Sequence, residues 1–202
     1  MTIWRGQHPL ILASQSAVRK SLLDHAGLGV ETMPANIDER AIQQRSGLKN
    51  PAEIASLLSG EKAKHVSALH PHRFIIGADQ TLALGERLFS KPANRAAAAD
   101  QLAALAGHTH ILHSAVGVVR EGEVLFSHVA AARMSMRKLT DAQIASYLDQ
   151  AGDAVTTSVG AYQLEGLGVN LFERIEGDHF TILGLPLLPL LAFLRSQNLL
   201  SV

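Results

Sequence analysis

The sequence predicts an α/β fold, in which a mixed twisted sheet is flanked by helices. Three observations favour it: helices and strands alternate early in the chain, hairpins appear later, and 47% of the 202 residues are hydrophobic. That hydrophobic content is enough to bury a substantial core. Because no repeat, low-complexity linker or block of like charge divides the chain, residues 1–202 are predicted to form a single domain of one or two lobes.

Five runs rich in apolar and β-branched residues predict strands. In chain order they are Leu10–Ala13, Phe74–Thr81, Ile111–Val119, Val124–Met134 and Val169–Ile175. Residues 120–123 and residues 176–178 predict hairpin turns.

Capping residues mark the starts of the helices, and glycine marks several of their ends. The predicted helices run from Ser14 or Ser16 to Gly27, from Asn50 to about Leu69, from near Pro92 to Gly107, from Thr140 over a shorter stretch, and from Leu185 in the C-terminal segment. This last helix is apolar on most faces, which suits burial in the protein's own core or in a homodimer interface.

The composition excludes several classes of function. Lys and Arg number 18, as do Asp and Glu, so the zero net charge offers no general attraction for nucleic acids or anionic membranes. An aromatic content of 4% argues against a stacking platform for single-stranded nucleic acid. The absence of cysteine excludes disulfides, thiolate zinc sites and a cysteine nucleophile, and it favours a cytoplasmic protein. The sequence also predicts neither a membrane-spanning helix nor a signal peptide.

The segment from Leu12 to Lys20 predicts a strand that runs into a helix and carries two serines and two cations. A helix N-terminus offers unpaired N–H groups and partial positive charge, so Arg19 and Lys20 are unfavourably placed there unless an anion is bound. Two interpretations stay open. Ser14 and Ser16 are part of a phosphate cradle, or they are helix caps beside solvated cations.

Three further charged residues are candidates for chemistry. Asp79 falls at the expected C-terminal end of a strand, the usual place for ligands in open α/β sheets. A carboxylate there can hold Mg²⁺ or accept a proton from water, or it can simply cap a turn. Lys91, one loop later, brings a cation to the next helix start. Lys62 lies on the apolar stripe of its helix and should be paired, face a cleft or extend to solvent.

Other polar motifs are less specific. Asp38 and Glu39 offer loop carboxylates that a metal ion could use. The histidines at 108, 110 and 113 are predicted to lie on a surface-facing polar strand rather than to bind a metal. The glycines at 160, 166 and 168 let the backbone approach a ligand closely, but their spacing does not fit a dinucleotide-binding fingerprint.

In their shared order, these segments resemble the Maf family of nucleoside triphosphate pyrophosphatases. The resemblance rests on Leu12–Ser16 with Arg19, Leu22-Leu23, Asp38-Glu39, Lys62-Ala63, Gly77–Asp79, Lys91-Pro92, Gly107-His108, Gly160–Tyr162, Ile175–Asp178 and Gly184–Leu187. It implies an elongated, two-lobed fold related to inosine triphosphate pyrophosphatases, with a central cleft. It also implies a divalent metal cation, Mg²⁺ or Mn²⁺, hydrolysis of a nucleoside triphosphate to the monophosphate and pyrophosphate, and an association with restraint of cell division.

The resemblance implies a role for each matching residue. Asp79 matches the proton acceptor, Glu39 matches a cleft acid that would share the metal with Asp79, and Ser14, Ser16, Arg19, Lys62 and Lys91 match the positions around the phosphates. Gln80 and Glu165 are more similar to the branch of the family associated with 7-methyl-GTP. A carboxylate can accept from guanine N1–H and the 2-amino group and favours a cationic base. Val18 stands where that branch tends to carry an aromatic residue, so the sequence leaves the base open.

The leading hypothesis is a house-cleaning hydrolase of non-standard or modified nucleoside triphosphates. The alternative is a nucleotide-binding regulator of cell division with little or no turnover. The presence of Asp79 together with Arg19, Lys62 and Lys91 favours turnover.

Overall fold

A computed structural model describes residues 2–202 and contains seven strands and seven α-helices in this range. The strands are β1 (Ile11–Leu12), β2 (Glu31–Thr32), β3 (Ile75–Leu84), β4 (Arg87–Phe89), β5 (Thr109–Arg120), β6 (Glu123–Met136) and β7 (Phe172–Glu176). The helices are α1 (Ala17–His25), α2 (Glu39–Ser46), α3 (Pro51–Leu69), α4 (Arg95–Leu105), α5 (Asp141–Ala151), α6 (His179–Ile182) and α7 (Leu187–Ser196).

The strands form one mixed sheet in the order β2-β1-β3-β5-β6-β7, and β4 also pairs with β3. β1 is parallel to both of its neighbours, whereas β4 is antiparallel to β3 and β7 is antiparallel to β6. The predicted fold class, a mixed sheet with flanking helices, is confirmed.

The main differences from the sequence predictions concern short elements. β2, β4 and α6 have two to four residues, too few to give a periodic pattern. α2 begins after Asp38, whose carboxylate accepts a hydrogen bond from the Ala41 N–H at 2.9 Å. The last predicted strand starts later than expected, because residues 167–171 form a 3-10 helix. The hairpin turn predicted at 176–178 is wrong, since the chain continues from there into α6.

The chain forms two compact units. The first contains the chain up to Gln80, together with His113–Ala130 and His179–Val202. The second contains Thr81–Leu112 and Ala131–Asp178.

In the first unit, β1 is buried on both faces because helices cover both. Leu10 and Leu12 pack in a cluster with side chains of α1 and α7. Ile11 and Ala13 point the other way and pack against side chains of α3. This alternation is expected for a strand with period two. It holds the start of α1 and the middle of α3 close to the strands that carry the candidate site.

The C-terminal helix contributes to the core of the first unit. Leu187, Leu190 and Leu194 of α7 are buried in the same cluster as Leu10 and Leu12. Burial within the protein's own core therefore accounts for the apolar character of this segment, and a homodimer stays a prediction. No helix within residues 2–202 combines the length and the apolar content needed to cross a lipid bilayer.

In the second unit, α4 and α5 pack together and an ion pair joins them. Arg95 Nη2 lies 2.6 Å from Asp149 Oδ1. Both helices have a side-chain oxygen at their start, from Asn94 for α4 and from Thr140 for α5, where a full capping box forms. The helix starts predicted in this part of the chain are therefore confirmed to within a few residues.

Candidate active site

The turn between β1 and α1 places two hydroxyl groups at the start of the helix. Ser16 Oγ accepts a hydrogen bond from the Arg19 N–H at 3.3 Å, and Ser14 Oγ accepts one from the Ser16 N–H at 3.2 Å. The first turn of α1 contains no acidic residue. The positive end of the helix is therefore not neutralised within its own first turn, which favours an anion.

Arg19 is held in one orientation by backbone oxygens. Its Nε donates to the Gly184 carbonyl at 2.8 Å, and its Nη1 donates to the Ala78 carbonyl at 2.8 Å and to Ser14 Oγ at 3.3 Å. Burial lowers the pKa of Arg19, while the charges of Asp79 and Glu39 act in the opposite direction. A guanidinium stays protonated in this setting.

The second interpretation of this turn, helix caps beside solvated cations, is therefore wrong in treating Arg19 as solvated, although Ser16 does cap α1. Lys20 behaves differently and pairs with Asp24 within α1. In the sequence, Gly184 is recognisable only as part of a motif, and its contact with Arg19 was not predicted. The backbone φ of Gly184 is +89°, and a Cβ at this position would lie 3.2 Å from Arg19 Nη2. Both facts favour glycine here.

Asp79 lies in the middle of β3, so the prediction that it ends a strand is wrong. β3 continues to Leu84 because Leu82 and its neighbours pair with β4. The parallel partner β1, however, ends opposite Ile76, where the chain turns away into α1. Asp79 therefore lies just beyond the end of the neighbouring strand, where open α/β sheets place their ligands.

Lys62 of α3 forms ion pairs with two carboxylates. Its Nζ lies 2.6 Å from Asp79 Oδ1 and 3.0 Å from Glu39 Oε1. The side chains of Lys62 and Asp79 are only 11% and 9% exposed, whereas that of Glu39 is 49% exposed. Of the alternatives left open for Lys62, pairing, facing a cleft or extending to solvent, the structure shows pairing, and the partners lie on β3 and α2 rather than on its own helix.

Gly77 explains how α3 comes close enough for this contact. A Cβ at position 77 would lie 2.0 Å from the Ser59 carbonyl oxygen and 2.9 Å from the Ala63 Cβ. Only glycine lets the backbone of α3 approach β3 at this point. The glycine two residues before Asp79 therefore sets the distance that Lys62 must span.

Burial raises the pKa of Asp79 above the usual range for a carboxyl group. The charges of Lys62 and Arg19 and the hydrogen bond from Lys62 act against this shift, and Glu39 adds to it. A carboxylate with a raised pKa is a stronger base than one exposed to water. Asp79 therefore has the environment expected of a proton acceptor.

The residues of this site fit a divalent cation only in part. Within residues 2–202, no group of three or more histidine or carboxylate side chains could hold a metal ion by itself. Asp79 and Glu39 nevertheless share one ammonium group and supply hard oxygen donors, the ligand type that Mg²⁺ and Mn²⁺ prefer. A cation on these two side chains would need further oxygen ligands, which a triphosphate and water can supply.

Gln80 has a different environment from Asp79, although the two are adjacent in β3. Its side-chain nitrogen donates to Ser114 Oγ at 2.9 Å and to the carbonyls of Thr181 and Ile182 at 3.2 and 3.0 Å. The amide N–H groups are thus directed to protein acceptors. Val18 lies in the first turn of α1 and is partly buried. The specificity roles of Gln80 and Val18 stay predictions.

Two site residues predicted from the sequence belong to the second unit. Lys91 is exposed in the segment between β4 and α4, and Glu165 is exposed in a turn. Their roles toward a substrate stay predictions. The glycines near Glu165 have an internal explanation, since a Cβ at Gly168 would lie 2.4 Å from the Gln163 carbonyl oxygen.

The prediction of a surface-facing histidine strand is wrong for His110. His110 is fully buried, its Nε2 lies 2.7 Å from Tyr162 Oη, and the ring of Phe172 packs nearby. Burial lowers the pKa of His110 to about 4. The face of β5 that carries position 110 is covered by the segment around Tyr162, and no local pattern in the sequence indicates that cover.

Comparison with known proteins places these features in a family. The family described as Maf-like protein matches residues 9–197. A nucleoside triphosphate pyrophosphatase of Bradyrhizobium diazoefficiens is 64% identical over 202 residues, and one of Rhodopseudomonas palustris is 64% identical over 202 residues; the match covers all of each chain. A 7-methyl-GTP pyrophosphatase of Rhizobium etli is 53% identical over 189 residues, which are 92% of this chain and 94% of the relative.

Solved structures show a weaker likeness. A dITP/XTP pyrophosphatase from Mycobacterium abscessus is 17% identical with a TM-score of 0.38, over 64% of this chain and 74% of the other. A HAM1 protein from Coxiella burnetii is 16% identical with a TM-score of 0.42, over 63% of this chain and 72% of the other. At these scores the likeness supports no further conclusion.

Proposed function

The chain belongs to the family of Maf-like proteins, and on that premise we propose that the site around Asp79 hydrolyses nucleoside triphosphates to the monophosphate and pyrophosphate. Two of the relatives described above are nucleoside triphosphate pyrophosphatases, and each matches this chain over its full length, which supports the same activity here. The observation that carries the proposal is the shared ion pair of Lys62 with Asp79 and Glu39, beside the fixed guanidinium of Arg19.

In this proposal the phosphates are bound by Ser14, Ser16 and Arg19 at the start of α1, with Lys62 beside them. These groups present hydroxyls, N–H donors and positive charge to oxygens on which negative charge increases in the transition state. Lys91 adds a cation from the segment before α4. Because Arg19 is already fixed by three acceptors, little side-chain entropy is lost when it binds phosphate.

Asp79 orients the attacking water and accepts its proton. The water oxygen forms a bond to the α-phosphorus, the bond between the α-phosphorus and the bridging oxygen breaks, and pyrophosphate leaves. Maf-family pyrophosphatases are generally metal-dependent, and we include Mg²⁺ or Mn²⁺ in the proposal, held by Asp79 and Glu39. Such a cation would neutralise charge on the phosphate oxygens.

For the base, we propose non-standard or modified nucleotides, with 7-methyl-GTP among them. The support is the exposed carboxylate of Glu165, the presence of Gln80 and the similarity to the Rhizobium etli 7-methyl-GTP pyrophosphatase. A carboxylate pairs well with the positively charged methylated base. The alternative, a regulator of cell division with little turnover, is not favoured by relatives that are named as pyrophosphatases.

A panel of common and modified nucleoside triphosphates, each assayed with Mg²⁺ and with Mn²⁺, tests the proposal. We expect monophosphate and pyrophosphate to appear together, with 7-methyl-GTP hydrolysed faster than GTP. Early release of phosphate and nucleoside diphosphate would contradict the proposed bond cleavage. A cytoplasmic location, a homodimer and the lack of nucleic-acid or membrane partners stay predictions.

A further inference from the structure

A buried hydrogen-bond network lies on β3 next to Asp79. Ser114 of β5 is fully buried, accepts a hydrogen bond from Gln80 Nε2 and donates through Oγ to the Thr181 carbonyl at 2.7 Å. Gln80 Nε2 also lies within hydrogen-bond distance of the carbonyls of Thr181 and Ile182. These contacts attach the end of α6 to the middle of the sheet.

The same segment of chain continues to the oxygen that holds Arg19. The Thr181 carbonyl accepts a third hydrogen bond, from the Gly184 N–H at 3.0 Å, and the Gly184 carbonyl accepts from Arg19 Nε at 2.8 Å. Gln80 and Ser114 fix the start of this turn, and the turn fixes Arg19. The path from Ser114 to the guanidinium therefore consists of hydrogen bonds and one short turn.

Local structure alone does not hold this turn in place. α6 has only four residues, too few for a helix to be stable without tertiary contacts. The turn ends at Gly184 with a φ of +89°, a conformation that places its carbonyl toward Arg19. The position of this carbonyl therefore depends on what holds the turn at its two ends. Core packing of Leu185 holds the far end, and the hydrogen bonds from Gln80 and Ser114 hold Thr181.

Ser114 is also an unusual choice for its position. The residues that follow it in β5, Ala115, Val116 and Val118, are buried and apolar. A buried hydroxyl in such a strand costs free energy unless its hydrogen bonds are satisfied, whereas alanine would fit with no polar group to satisfy. The partners of Ser114 are Gln80 and the Thr181 carbonyl, both in the path to Arg19.

We propose that Ser114, together with Gln80, is a positioning residue that fixes Arg19 for binding the triphosphate through the Thr181–Gly184 turn. This rests on the proposed function in one respect, the role of Arg19 as a phosphate ligand. It assigns Ser114 a part in the reaction, and it gives Gln80 a role that does not require contact with the base.

The test is a double-mutant cycle on kcat/KM with Ser114→Ala and Arg19→Lys, using the best substrate of the nucleotide panel. Binding of α,β-methylene-GTP, a non-hydrolysable analogue, is measured by calorimetry for the same four proteins. We expect Ser114→Ala to lower kcat/KM and analogue affinity about tenfold, the usual size of one lost buried hydrogen bond. In the Arg19→Lys background the same substitution should change both by less than twofold.

Ser67→Ala is the matched control. Ser67 is also a buried serine of the first unit, and its Oγ accepts a hydrogen bond from the Gly122 N–H. The Ser67→Ala substitution should lower Tm but leave kcat/KM and analogue affinity unchanged. Gln80→Met keeps the side-chain length but removes the N–H donors. It should lower kcat/KM and analogue affinity as Ser114→Ala does, and it tests the proposal independently if Ser114→Ala folds poorly.

The outcomes separate this proposal from the proposed function. If Arg19→Lys leaves kcat/KM and analogue affinity unchanged, Arg19 does not bind phosphate. That result would contradict its role in the proposed function. If Arg19→Lys is impaired but Ser114→Ala has an equal, additive effect in both backgrounds, Ser114 does not act through Arg19. A Ser114→Ala protein with a lower Tm but unchanged kcat/KM and affinity, as expected of the Ser67→Ala control, would likewise overturn the proposal.

Discussion

The Nζ atom of Lys62 lies 2.6 Å from Oδ1 of Asp79 and joins α3 to the middle of β3. The same Nζ lies 3.0 Å from Oε1 of Glu39, so one ammonium group balances two carboxylates. Arg19 adds a second positive charge that acts on Asp79. The charge state of Asp79 is therefore set jointly by burial and by these neighbours.

Replacing Lys62 by glutamine should lower kcat by roughly two orders of magnitude, because a cation at the phosphates and a partner of Asp79 are both lost. Lys62 lowers the pKa of Asp79, so its removal raises that pKa further. A base must be deprotonated to act, and activity therefore falls as the pH drops through this pKa. We expect the acidic limb of the kcat–pH profile to move to higher pH.

Lys64→Gln is the control for this experiment, since Lys64 lies on the same helix and pairs with Glu61 at the surface. Lys64→Gln should leave the acidic limb of the kcat–pH profile at the same pH as in the parent. An acidic limb that stays where it is in Lys62→Gln would show that Lys62 does not tune Asp79.

Replacing Gly77 by alanine tests the close approach of α3 to β3. The added Cβ would lie 2.0 Å from the Ser59 carbonyl oxygen, so the helix must move. We expect a loss of about 1–3 kcal/mol in the free energy of unfolding, typical of overpacking, and a lower kcat because Lys62 moves with α3. Both are measured by denaturant unfolding and by pyrophosphate release.

Gly60→Ala, on the same helix, should have the opposite effect on stability. A Cβ at Gly60 meets nothing within 4 Å, and alanine favours a helix interior by about 1 kcal/mol over glycine. Equal stability changes in the two variants would contradict the packing explanation for Gly77.

The site was partly predictable from the sequence because several of its residue types stand in unexpected surroundings. Arg19 at a helix start and Lys62 on an apolar stripe both indicated a partner, and the structure supplies one for each. The position of Asp79 within its strand was not predictable, because the continuation of β3 depends on pairing with the three-residue strand β4.

Long-range contacts account for the rest of what the sequence did not predict. The carbonyl of Gly184 reaches Arg19 across 165 positions, and Ser114 reaches Gln80 across 34. His110 closes a polar run that begins at His108 and predicts a surface strand, yet Tyr162 covers it. Such pairings arise from tertiary packing, which the periodicity of a single strand does not contain.

His110 should make the protein less stable in acid. Because its pKa is about 4 when folded and 6.5 in the unfolded chain, the unfolded state alone takes up a proton between these values. The free energy of unfolding should therefore fall by up to about 3 kcal/mol as the pH drops from about 6.5 to 4.

The variant His110→Gln removes this titration and retains a group that can bond to Tyr162, so its stability should depend less on pH in this range. The exposed His65→Gln serves as a control and should retain the parent's dependence. The measurement is urea unfolding at a series of pH values. Equal pH dependence in His110→Gln and the parent would contradict the assignment.

Hydrolysis should require a divalent cation, because a triphosphate carries more charge than the cationic side chains of the site can neutralise. Exhaustive chelation should abolish pyrophosphate release, and added Mg²⁺ or Mn²⁺ should restore it. Full activity in the chelated enzyme would remove the metal from the proposal.

Asp79→Asn tests the central claim most directly. The substitution keeps the shape of the side chain but removes its charge and most of its basicity. Asp24→Asn is the matched control, since Asp24 also pairs with a lysine, but with Lys20 of its own helix rather than with Lys62. We expect both variants to fold, the control to keep the parent's kcat, and Asp79→Asn to lose roughly two or more orders of magnitude in kcat for pyrophosphate release. A folded Asp79→Asn protein that keeps more than about a tenth of the parent's kcat, a barrier change of less than about 1.4 kcal/mol, would contradict the role of Asp79 as the proton acceptor.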